Sequence, residues 1–203
     1  MEWMISGLKD LDSWLGWAVS VAVACGIHGI AQFFSVLLLV PPHKQDKNRE
    51  GFPQPFQFID PLGIPMFLLT GWSWTRPYPL PDITFEKPFL YTVIFYIAGS
   101  VGNVALAGII STLYVLLLPS TVFNLAMKIN LYVAVANITI PIPPFSLGRG
   151  IFAGFQYDFG RRAELTAMVL FTLYTAWCYK AGSYFGFEYV WRIGDYLLDM
   201  LIG

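Results

Sequence analysis

Charge is what this chain has least of: only 12% of its 203 residues are Asp, Glu, Lys or Arg, and the formal net charge is −1. A soluble domain is nearer a quarter charged, so the scarcity points to a membrane protein. The near-neutral balance excludes the basic surface that a nucleic-acid partner would require. Histidine is as scarce, with His28 and His43 alone. His43 lies beyond the Pro41-Pro42 break and cannot share a helical face with His28. The two cysteines, Cys25 and Cys178, both fall inside apolar runs and read as small core residues, not as a disulfide pair. A basic leader is missing too, and no cleavable signal peptide is expected from the acidic, amphipathic start.

Apolar residues are abundant, at 56% with 17% aromatic. Residues 1–13 read as an amphipathic interfacial helix with Trp3, Met4, Leu8 and Leu11 on one face. Trp14 to Val40 contains no charged residue and is long enough to cross the ~30 Å hydrocarbon layer. After a polar stretch comes Phe58 to Trp74, too short and too rich in Pro and Gly to cross, which predicts a re-entrant or interfacial segment. Phe89 to Leu118 is a second uncharged span, with Gly99, Gly102 and Gly108 permitting close helix contact. A third starts near Thr121, is interrupted by Lys128 and ends at Pro141, Pro143 and Pro144. Gly148 to Arg162 reads as a polar linker, Ala163 to Tyr179 as a fourth span, and Tyr184 to Gly203 as an amphipathic tail. The expected fold is therefore an all-α membrane protein of about four spans. It divides into the end helix, a core over residues 14–162, and a final span with tail over 163–203.

Lys and Arg counts set the orientation. Eight of them (Lys44, Lys47, Arg49, Arg76, Lys87, Arg149, Arg161, Arg162) fall in loops on one side, against Lys9, Lys180 and Arg192 on the other. The expectation is a multi-pass bacterial inner-membrane protein with its main loops cytoplasmic and both termini outside.

Four collinear segments resemble the site-2 protease family of intramembrane zinc metalloproteases. The first is His28-Gly29-Ile30-Ala31-Gln32, where the family has H-E-x-x-H. Phe58-Ile59-Asp60-Pro61-Leu62-Gly63 is similar to H-I-D-P-x-G. Gly71-Trp72-Ser73-Trp74-Thr75-Arg76-Pro77-Tyr78-Pro79, continuing to Ala98-Gly99-Ser100-Val101-Gly102-Asn103, resembles F-G-W-A-K-P-V-P and A-G-P-x-x-N. The last, Asn137 to Arg149, is similar to N-L-I-P-I-P-P-L-D-G-S-R. The resemblance covers about residues 20 to 155.

In that family two histidines one helical turn apart and a distant aspartate hold zinc, and a glutamate serves as the base. Here His28 is kept, Gly29 stands for the glutamate, Gln32 for the second histidine and Ser146 for the aspartate. These four positions therefore read as vestigial, with no catalytic or metal residue. The resemblance implies a non-catalytic pseudoprotease whose partner cleft would be lined by Asn103, Asn137, Pro141, Pro143 and Pro144. Such a protein would pack against other integral membrane proteins in a respiratory, photosynthetic or transport assembly. No cofactor is expected, and contact with lipid, quinone or pigment is left open. His28 is expected to be a hydrogen-bonded structural residue, with Gln32, Ser146 or a proline-segment carbonyl as its partner. A serine nucleophile at Ser146 with His28 as base is the less favoured alternative. Asp60 reads as a turn cap, Lys128 as a snorkelling side chain and Arg149 as a juxtamembrane anchor. Two rival functions remain: a metalloprotease with another ligand set, and a transporter subunit with Asp60, His28 and Lys128 as polar steps.

Overall fold

The computed structural model describes residues 11–41, 52–79, 85, 87–117, 120–155, 161–182 and 186–203. The expected end helix lies mostly outside these residues, and His43 wholly so. Among the described residues all regular structure is helical: α1 (Leu11–Leu39), α2 (Ile64–Thr70), α3 (Pro88–Leu116), α4 (Thr121–Thr139), α5 (Ser146–Gly154), α6 (Arg161–Ala181) and α7 (Glu188–Ile202).

Three helices, α1, α3 and α4, are long and apolar enough to cross a membrane. At ~1.5 Å per residue the two of 29 residues reach about 43 Å, enough to span with tilt. The 19-residue α4 just suffices. It is the central element, since Ile129 to Asn137 are all buried, and α1, α3 and α7 pack around it. Lys128 does not interrupt it, because lysine is a good helix former and its flexible stem fits a half-buried position.

Small residues set the helix spacing. A Cβ on Gly102 would lie 2.6 Å from Ala31 Cβ, so α1 and α3 cross nearly backbone to backbone. Gly150 and Gly154 let α5 lie against Val93, Tyr96 and Phe89 of α3. Residues 148–154, expected as the start of a linker, are thus helical: Gly150 and Gly154, which weaken a free helix, supply the flat face that α3 needs, and Gly148 admits the Ile142-Pro143 backbone.

Residues 55–70 form two short 3-10 turns, Pro55–Phe58 and Pro61–Gly63, and then the seven-residue α2. Proline opens each piece, which breaks the segment as expected. Gly71 ends α2 at φ 79°, and the chain continues to Pro79 without regular secondary structure, here called the extended segment. The fourth expected span falls on the 21-residue α6, which is not among the three helices apolar enough to cross and instead packs on α2 and on the Pro61–Gly63 turn. The amphipathic tail folds as α7 and docks along α4.

Candidate functional site

His28 projects from α1 into the core, with its ring edge on α3. A Cβ on Gly99 would fall 2.2 Å from His28 Cδ2, so only glycine admits the ring there. His28 Nε2 meets Ser146 Oγ at 3.0 Å. Ser146 opens α5, and its backbone N–H and its hydroxyl both donate to Asn137 Oδ1, each at 3.1 Å. Asn137 Nδ2 in turn donates to Ser73 O at 3.0 Å and to Val133 O at 2.9 Å. A polar chain therefore runs from α1 through α5 and α4 to the extended 71–79 segment. All four side-chain positions, 28, 146, 137 and 73, are buried.

Gln32 lies one turn beyond His28 and also serves this segment. Its Oε1 accepts from Tyr78 N at 2.8 Å, while its Nε2 donates to Tyr96 O at 3.3 Å. Further along, Arg149 Nη1 donates to Thr75 O at 2.7 Å and Arg76 N to Phe58 O at 2.9 Å. The irregular backbone at this depth is thus satisfied by the chain's own side chains, as a dry environment requires.

Gly29 is filled from outside its helix. A Cβ there would lie 2.2 Å from Phe58 Cγ, so the phenyl ring occupies the space of any side chain at position 29. Gly29 and Phe58, 29 positions apart, form one packing solution.

Asn103 neighbours the His28 ring and donates to Ala24 O at 3.2 Å. Ser100 Oγ and Ser73 Oγ are buried without a hydrogen-bond partner among the described residues. Asp60 caps its turn by accepting from Leu62 N at 3.0 Å and also accepts from Trp74 Nε1 at 3.2 Å. Pro143 and Pro144 are buried beside this site, whereas Pro141 is exposed and does not line it.

Arg149 is not the expected membrane anchor. It pairs with Glu164 at 2.6 Å, is 10% exposed, and ties α5 to α6 and to the extended segment. The sequence signals neither that pair nor the roles of Thr75, Tyr78 and Tyr96, because each depends on backbone atoms brought from distant positions.

These features define a helical membrane protein with a buried polar site shared by three helices. The chain is 32% identical over 103 residues to a Bacillus subtilis protein described as "Putative zinc metalloprotease YwhC". The match covers 44% of this chain and 47% of that protein, so the chain spans about half the length of the curated relative it matches. No family description and no solved structure matches. The similarity supports a site-2 protease-like relationship. It also overturns the expectation that the chain is not an enzyme, since a relative of that description points toward enzymatic activity.

Zinc is implied by that relative's name, but the donor set around His28 does not fit it. His28 Nε2 is engaged with Ser146, both ends of the Gln32 amide are engaged with backbone, and position 29 has no side chain. Among the described residues no three His, Cys, Asp or Glu side chains cluster as a metal site.

Proposed function

We propose that this site-2 protease-like membrane protein packs against other integral membrane proteins as a subunit of a larger membrane assembly. The observation that carries this reading is the self-occupied interior. Ser73, Thr75 and Tyr78 of the extended segment take up the polar groups of Asn137, Arg149 and Gln32. The outer helix faces are then the surfaces left to engage another protein. Purification from native membranes in mild detergent, with mass spectrometry, tests it. Stoichiometric membrane proteins should remain bound; a lone monodisperse monomer would overturn the reading.

A second reading, a peptidase, is favoured by the similarity to YwhC. Its expected signature is cleavage of a membrane-embedded polypeptide that is lost on His28→Ala. Intact substrate after prolonged incubation with the folded protein would count against it.

A further inference from the structure

α7 runs antiparallel to α4 along nearly its whole length. At one end Thr139 Oγ1 donates to Tyr189 Oη at 3.4 Å. Midway, Tyr132 Oη donates to Asp195 Oδ1 at 2.5 Å, and Gly194 lies flat on the Tyr132 ring. Toward the other end Leu198 shares a buried cluster with Ala126 and Met127, flanked by Phe123, Leu201 and Ile202. Ser111 of α3 donates to Leu201 O at 3.0 Å. Because α4 is a candidate span, these contacts put α7 at bilayer depth, with Asp195 near the middle.

The face of α7 turned from the bundle is not suited to lipid. Glu188, Arg192, Asp195 and Asp199 follow one another at steps of four, three and four residues, which aligns them in one stripe. All four are exposed, as are the flanking Ile193, Tyr196 and Met200. Ionisable side chains at membrane depth are costly against hydrocarbon and are found facing protein or a polar cavity. Three acids and one base leave the stripe net negative, so two copies of it would repel each other.

We propose that this stripe docks a membrane helix of another protein that carries lysine or arginine at bilayer depth. The proposal rests on the assembly reading and names the partner's chemistry. The apolar residues beside the charges supply packing area, and opposite charges fix the register of the two helices.

A photo-crosslinking residue placed at Tyr196 in the full chain, irradiated in native membranes and followed by mass spectrometry, tests it. The expected product joins position 196 to a transmembrane segment of a different protein with Lys or Arg inside its apolar run. Asp199→Lys should lower the yield by about tenfold or more, as loss of a desolvated charge pair predicts, while Asp199→Glu retains it. Asp199 does not hold α7 to the bundle through its side chain, and Asp195 remains in place for Tyr132. Products only with lipid, with a second copy of this chain, or with a helix lacking basic residues overturn the proposal. So does a yield indifferent to Asp199→Lys. The same probe at Val101, on the exposed face of α3, separates the two readings: partners captured there but not at Tyr196 leave the assembly intact and refute the α7 site. Partners at neither position refute both.

Discussion

A phenyl ring 2.2 Å from the Cβ position of Gly29 means that no side chain enters there unless Phe58 moves. Gly29→Ala should therefore destabilise the protein by roughly 1–3 kcal/mol, the usual cost of overpacking a tight core. Phe58→Leu should recover part of that loss in the double variant, because neighbouring substitutions are not additive. Thermal unfolding of the four proteins in one detergent checks this. A Gly29→Ala protein as stable as its parent would show that the ring is free to yield. The same logic applies at Gly99, where the obstacle is the His28 ring itself.

At the scale of elements, the broken stretch before α3 depends on Asp60. Its carboxylate holds both the Pro61–Gly63 turn and the indole N–H of the fully buried Trp74. Asp60→Ala leaves that N–H without a partner and removes the cap. The expected loss is about 1–3 kcal/mol, with Asp60→Asn milder because an amide oxygen can still accept. Urea or thermal denaturation measures it, and equal stabilities for parent and Asp60→Ala would refute the role. α7 is held in a comparable way. Tyr132→Phe removes its bond to Asp195 and should raise amide exchange across 188–202 relative to α4. The expected loss is ~1 kcal/mol, since the carboxylate is partly exposed. Unchanged exchange would mean that packing of Gly194 and Leu198 alone fixes the helix.

For the whole molecule, the element that returns along the bundle is α7, and this bears on topology. The start of α1 lies beside the start of α4, with Gly16 against Val122. The end of α7 lies beside the end of α3, with Leu201 bonded to Ser111. The start of α1 and the end of α7 therefore belong to one face of the bundle. Meanwhile α6 meets Arg149 through Glu164 and Phe187 through Tyr174, in the layer of the 58–79 segment. Reporters fused to the two termini should score on the same side of the membrane. Opposite sides would show that α7 does not traverse the bilayer depth.

Much of the architecture was legible in the chain because it rests on local physics. Long uncharged runs fix α1 and α3, prolines break the stretch from 55 to 64, and Asp60-Pro61 announces a cap. Ser146 was also among the expected partners of His28, since the resemblance already placed both at one centre. What stayed hidden depends on contacts between distant positions. The Arg149–Glu164 pair made a presumed anchor into a clasp, and Gly150 and Gly154 let the start of a presumed linker pack on α3 as a helix.

The sequence by itself determined that this is a helical membrane protein with a site-2 protease-like pattern. Hydrophobicity and turn chemistry are properties of short segments, and so they can be read in order along the chain. Only the tertiary structure decided that Phe58 fills the place of a side chain at 29, that Gln32, Asn137 and Arg149 hold the protein's own 71–79 segment, and that α7 lies along α4 with a charged edge turned outward. Those outcomes depend on which surfaces meet after folding, and sterics and hydrogen-bond satisfaction act only where surfaces meet.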